Sequence, residues 1–228
     1  MDQTKIWDYF QNEEEVANVA FNARPRYEFL ANQATAGMSV LNIGVGRGGL
    51  EGLLIAKGII VSCLDPSEAA IDKIREQYAL GERARVGFSQ NMPFTDNQFD
   101  IVVMSEVLEH LTNDVIQATL IDVKRVLKTG GRFIGSVPAE EALLDNRVMC
   151  PHCGEHFHRW GHQQTFSVQT LKSLLASEFD DTTITRHFFG EVRTLNWKGR
   201  LGWFLKKSLI RLGIKGGGET FFFSADKR

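Results

Sequence analysis

Short apolar runs alternate along the chain with stretches whose apolar positions recur every three or four residues. The runs are SVLNIGV (39–45), IIVSCLD (59–65), ARVGFS (84–89), FDIVVMS (99–105) and GRFIGSVP (131–138). Between them, GGLEGLLIAKG, SEAAIDKIREQYAL and TNDVIQATLIDVKRVLKTGG keep helical spacing. Near-continuous apolar strands joined by helices of about a dozen residues are what a parallel sheet covered on both faces requires. The pattern predicts a doubly wound, Rossmann-like α/β domain over residues 38–228. Ahead of it, residues 1–37 carry the aromatic segment Ile6, Trp7, Tyr9 and Phe10 and a helical stretch around Tyr27, Phe29 and Leu30, read as an N-terminal helical lid.

The rhythm breaks at about 139–166, in a Cys/His-rich insert, and resumes with SVQTLKSLLASEF, whose Ser167 is placed to cap a helix. Two strands, DTTITRHFFGE (181–191) and ETFFFSADKR (219–228), close the chain around a basic helical insert at about 196–215.

Composition narrows the function classes. The 228 residues carry 26 Lys+Arg against 28 Asp+Glu, a net charge of −2, which argues against a bulk polyanion binder. No stretch reaches the ~20 apolar residues that span a bilayer. The polar N-terminus is not that of a signal peptide, and three cysteines form no disulfide framework. A soluble, cytoplasmic protein is expected.

Gly44, Gly46 and Gly48 stand where the first strand meets its helix. Small residues there let backbone approach a ligand, at a helix N-terminus with free N–H groups. Asp65 ends the next strand, 21 residues after Gly44, where a carboxylate accepts ribose hydroxyls. A nucleoside cofactor follows. Gly44, Gly46 and Gly49 also fit the dinucleotide spacing, so an NAD-type oxidoreductase stands as an alternative.

The ordered segments NIGVGRGG, LDPSE, NMPFTDNQFD, SEVLEHL and RVLKTGGRF, over about residues 36–138, resemble class I S-adenosylmethionine-dependent methyltransferases, in the branch with many small-molecule methylases. The resemblance implies a seven-stranded, mostly parallel sheet whose last strand is antiparallel. It also implies methyl transfer from S-adenosylmethionine by in-line displacement, to a small-molecule or glycan acceptor. Gly44, Gly46 and Gly48 would face the methionine part, Asp65 the ribose, and Pro66, Ser67, Ser89, Gln90 and Asn91 the adenine. Ser105 and Glu106 would sit where cofactor meets acceptor. Two positions depart from the family pattern: Asn42 and Phe88 stand where acids are usual. Asn42 can still donate and accept hydrogen bonds. These departures motivate the other alternative, a non-enzymatic cofactor-binding or zinc-dependent interaction module.

Glu106, Glu109 and His110 follow the fourth strand, and on a helix starting there they would share one face. Such a group suits a divalent cation or a general base, with His110 the candidate base. The spacing resembles the metal site of small-RNA terminal 2′-O-methyltransferases and of a quinone-precursor O-methylase. Within CPHCGEHFHRWGH, Cys150 and Cys153 with His158 and His162 have the spacing of a zinc knuckle, a structural clamp beside the acceptor. His156 is the spare ligand. His162 has a competing place, beside Glu106, Glu109 and His110.

In NWKGRLGWFLKKSLIRLGIK, Leu201, Phe204, Leu205, Leu209 and Leu212 share one side of a helical wheel. Docking of this helix on the chain's own domain or a partner subunit is the leading expectation, with peripheral membrane contact second and nucleic acid last. Arg24, Arg26 and Tyr27 are within reach of an acceptor but receive no role.

Overall fold

The computed structural model describes residues 23–214 and 216–228. Ile6, Trp7, Tyr9 and Phe10 lie outside the described residues. The chain runs α1 (Arg24–Ala31), β1 (Ser39–Ile43), α2 (Gly49–Ala56), β2 (Ile60–Asp65), α3 (Glu68–Tyr78), β3 (Ala84–Val86) and β4 (Phe99–Ser105). Then come α4 (Asn113–Val126), β5 (Leu127–Pro138), β6 (Arg147–Met149), β7 (His156–His158), α5 (Val168–Leu175), β8 (Asp181–His187), α6 (Trp197–Arg211) and β9 (Thr220–Asp226).

The main sheet has the order β3-β2-β1-β4-β5-β9-β8. β1 to β5 pair in parallel, and β9 lies antiparallel between β5 and β8. The expected seven-stranded sheet with an antiparallel last strand is what forms. The two faces bury alternate residues of each strand. Ile101 and Val103 of β4 join Val40, Val61 and Ile134 under α1, α2 and α3. Val102 and Met104 join Leu41, Phe133, Phe221 and Phe223 under α4 and α5. Each such side chain contributes roughly 1.5–3 kcal/mol by leaving water.

The cap expected at Ser167 forms, and two further helices are capped by side chains. Ser67 accepts from the Ala70 N–H, Ser167 forms a capping box with Thr170, and Asn196 accepts from the Gly199 N–H. β5 begins earlier than its apolar run, because the β4–β5 register shifts between Phe99 and Ile101 to take up the extra residues around Lys128–Gly130. The helix before it therefore stops at Val126. In the 139–166 insert the chain makes a small antiparallel hairpin, β6–β7, pairing Met149 with His156 and Arg147 with His158.

Helix α6 docks on its own domain, but not through its leucine-rich side. Its inward residues are Trp203, whose Nε1–H donates to the Gly190 carbonyl at 2.9 Å, and the buried Ile210. The leucine-rich side faces solvent: Leu201, Phe204, Leu205 and Leu209 are 55%, 59%, 57% and 43% exposed. Trp203 and Ile210, which spoil the separation on a wheel, are the docked face. Among the described residues no helix is long and apolar enough to cross a membrane.

Candidate active site

The site lies along the carboxyl ends of β1, β2, β4 and β5, where a parallel sheet opens its crevice. On one side the β1–α2 turn is held in a shape that demands glycine. Gly44 and Gly48 have φ of +83° and +77°, and a methyl group on Gly48 would meet the Ile74 side chain at 2.4 Å. Nothing lies within 4 Å of where a side chain on Gly46 would begin, so backbone is open to a ligand there. Asp65 is buried. Its carboxylate accepts from the Val45 N–H at 3.0 Å and the Ser67 N–H at 2.9 Å, which fixes the turn to the end of β2.

Asn42 is also buried, and its Nδ2 donates to Oε1 of Glu51 at 2.6 Å. Glu51, on α2, is fully buried, and desolvation pushes its carboxyl up to about 7 despite the hydrogen bond from Asn42. An acid thus stands beside Asn42 from the next helix, nine residues on. Oδ1 of Asn42 and Oε2 of Glu51 are buried without a hydrogen-bond partner. Tyr27 packs over Gly49, 2.8 Å from where a side chain would begin, and burial raises its phenol. The expected adenine edge is less uniform. Ser89 spends its hydroxyl on Thr119 at 2.7 Å, while Gln90 and Asn91 are exposed and Phe88 is 61% exposed. Ser67 caps α3, with Pro66 beside it.

The other side is built from side chains. Glu106 follows β4 with φ +57°, a left-handed residue between strand and turn. Leu108–His110 then forms a single 3₁₀ turn, and the following helix starts only at Asn113. Glu106, Glu109 and His110 therefore do not share a helix face, contrary to expectation. Glu106 Oε1 accepts from the Ser136 hydroxyl at 2.8 Å, and Ser105 and Ser136 hydroxyls meet at 2.9 Å. Since Ser136 gives its proton to Glu106, Ser105 donates to Ser136. Arg26 of α1 lies 3.8 Å from Glu106 Oε2.

Glu109 is buried with both carboxyl oxygens lacking partners, and desolvation, reinforced by the Glu106 charge, raises its pKa well above the carboxylate range. Its carbonyl accepts from the Gln163 and Gln164 N–H groups at 2.7 and 3.0 Å, stapling this turn to the 162–164 segment. That staple brings the His162 ring to 4.6 Å from His110, edge to face. Burial, reinforced by His162, pushes His110 down to about 3, so it stays neutral.

His162 Nδ1 also lies 2.5 Å from Oε2 of Glu141, which follows β5. Burial favours the neutral acid, but the His162 hydrogen bond and nearby imidazoles hold Glu141 below its ordinary value. His158 stacks on His162 at 4.6 Å, and its Nδ1 accepts from the His162 N–H at 3.1 Å. One ligand atom each from Glu109, His110 and His162, or from Glu141, His158 and His162, lies within 4.8 Å of the others.

The zinc knuckle is not assembled. Cys150 and Cys153 sit at the tip of the β6–β7 hairpin, whereas His158 pairs with Arg147, three residues down the strand. At ~3.3 Å per residue that is roughly 10 Å from Cys150 along the hairpin. Among the described residues, no convergent group of three ligand atoms includes either cysteine. His158 and His162 converge on Glu141 instead. Glu51, Ser136 and Glu141 escaped the sequence reading. Only Glu51 left a signal there, as a lone carboxylate in the apolar helix GGLEGLLIAKG.

Residues 41–135 match the profile of a methyltransferase domain. Over 101 residues the chain is 32% identical to the demethylmenaquinone methyltransferase of Tropheryma whipplei (strain Twist), covering 44% of this chain and 41% of that protein. It is 29% identical over 197 residues to the sarcosine/dimethylglycine N-methyltransferase of Halorhodospira halochloris, covering 81% and 69%. The solved 1,6-didemethyltoxoflavin-N1-methyltransferase of Burkholderia thailandensis, with 1,6-didemethyltoxoflavin and S-adenosylhomocysteine bound, superposes with a TM-score of 0.68 at 17% identity. That superposition covers 99% of this chain and 86% of the other. The chain spans less than half the length of the first two curated relatives it matches. The chain thus shares the fold of that solved methyltransferase, and its residues 41–135 match a methyltransferase domain.

Proposed function

We propose that the chain transfers a methyl group from S-adenosylmethionine to the oxygen or nitrogen of a small-molecule or glycan acceptor. The observation that carries this reading is the juxtaposition on one sheet edge of an open glycine turn and a buried carboxyl–histidine cluster. The residues of the turn fit the cofactor. The open backbone at Gly46 suits close approach, the Asp65 carboxylate suits ribose hydroxyls, and the unpartnered oxygens of Asn42 and Glu51 suit donors such as an ammonium group. When bound, S-adenosylmethionine supplies an electrophilic methyl group on a sulfonium.

The chain's own residues then orient the acceptor and take its proton. The Glu109 carboxyl, buried with both oxygens lacking partners, calls for a polar group on the acceptor. His110, held neutral far below physiological pH, makes a poor base. We assign that task to His162. Its Nδ1–H donates to Glu141, which leaves the Nε2 lone pair to receive the acceptor's proton, and the Glu141 carboxylate stabilises the imidazolium formed. Tyr27, Arg26 and the 162–164 segment close around the edge and limit water. Titration calorimetry with S-adenosylmethionine, followed by a labelled-methyl screen of hydroxyl, amine and sugar acceptors, tests the reading. Failure of the free protein to bind S-adenosylmethionine would sink it.

A further inference from the structure

Helix α6 leaves an apolar strip in solvent. Leu201, Phe204, Leu205 and Leu209 line it, and Trp197 and Leu212 extend it at 71% and 77% exposure. A 15-residue helix is ~22 Å long, and apolar side chains exposed along its length form a patch that a free monomer does not ordinarily show water. The helix is folded against its own domain through the opposite face, by Trp203 and Ile210, so the strip is not an unmade core contact.

Charge says what covers it. Between Val192 and Gly218 the sequence has seven Lys or Arg and no Asp or Glu, within a chain of net charge −2. Lys198 and Arg200 are exposed at the N-terminal end of the helix. Lys206 and Lys207 flank the strip half-buried, with their ammonium groups over the Phe188 and Trp203 rings at 3.9 and 4.6 Å. Apolar Leu, Phe and Trp outward with cations alongside is the arrangement of a helix lying in the headgroup boundary of an anionic bilayer. A second copy is disfavoured, because a two-fold contact through this face would set two all-cationic segments against each other. A nucleic acid is disfavoured too, since phosphate binding needs the outermost row to be cations, and here it is leucine and phenylalanine.

We infer that α6 is an amphipathic anchor that docks the protein on an anionic membrane surface through Leu201, Phe204, Leu205 and Leu209. The helix connects β8 to β9, and β9 begins at Thr220 opposite Pro138, at the end of β5 where Ser136 contacts Glu106. The anchor therefore emerges at the same sheet edge as the candidate site. Membrane binding and methyl transfer are separable, because no residue of the strip belongs to that site.

The test is co-sedimentation of the full chain with phosphatidylglycerol-containing vesicles and with pure phosphatidylcholine vesicles, at low and high salt. Anionic vesicles should retain the protein, roughly tenfold or more above neutral ones, and high salt should weaken the binding. Phe204→Glu with Leu205→Glu, at solvent-exposed positions, should abolish it while leaving the thermal midpoint unchanged. As a second readout, tryptophan emission should shift to the blue on anionic vesicles, less so in Trp197→Phe. Should the double variant fail to fold, Lys198→Ala with Arg200→Ala is expected to weaken vesicle binding on its own. No retention by anionic vesicles would overturn the inference, as would equal retention by neutral ones. A dimer in analytical ultracentrifugation that Phe204→Glu splits into monomers would do the same.

Discussion

The two halves of the sheet's carboxyl edge are built differently. Around Gly44–Gly48 the work is done by backbone: glycines with positive φ, an open Gly46, and N–H groups fixed on Asp65. The other half is assembled from side chains of five separated segments, namely Arg26, Glu106–His110, Ser136, Glu141 and His158–His162. A backbone device needs particular residues at fixed spacing and is readable as text. A side-chain cluster needs only that distant residues meet, and it is free to differ with the acceptor. The half we assign to the cofactor should therefore tolerate loss of the other half, and the reverse should fail.

The largest expected effect is that of His162→Ala. It should lower turnover by roughly 10²–10⁴-fold while S-adenosylmethionine affinity, read by calorimetry, stays within error. Asp65→Asn should do the opposite kind of damage, weakening that affinity by about 100-fold, as expected for losing charge-assisted hydrogen bonds to two hydroxyls. Glu141→Gln should cost turnover by about tenfold, because the carboxylate that holds the Nδ1 proton is gone while the ring remains. Its signature is a displaced pH–rate profile, which a merely structural role would not produce.

Glu51 supplies a stability test. Its folded value of about 7 lies above the ordinary 4.5, so the folded protein keeps a proton that the unfolded chain releases. Stability of the ligand-free protein should fall as pH rises from about 4.5 to about 7 and level off above. Glu51→Gln should flatten that slope in pH-dependent thermal denaturation, and an unchanged slope would locate the proton elsewhere. The smallest effect belongs to Cys150→Ser with Cys153→Ser. If the hairpin tip carries no structural metal, unfolding free energy should change by no more than about 0.5 kcal/mol.

The same contrast explains what was legible in the sequence. β1, β2, β4 and β5 are runs of buried apolar residues, and their text alone orders a parallel sheet. β6 and β7 have three residues each, with Val148 and Met149 exposed, so no apolar pattern marks them. Without that hairpin's register, His158 and His162 look like partners of the cysteines nearest in sequence, when pairing carries His158 away from them. Glu141 carries no local signal at all, since its role exists only once β5 and the insert are folded. On α6 the wheel separated the leucines correctly. It could not say which face docks, because Trp203 and Ile210 are as apolar as the strip left outside.

The most direct measurement is titration calorimetry of S-adenosylmethionine into three proteins: the parent chain, His162→Ala and Asp65→Asn. Equal binding by the first two and about 100-fold weaker binding by the third are expected. A parent chain that releases no heat at any concentration, or a His162→Ala protein that loses the cofactor as completely as Asp65→Asn, would contradict that expectation.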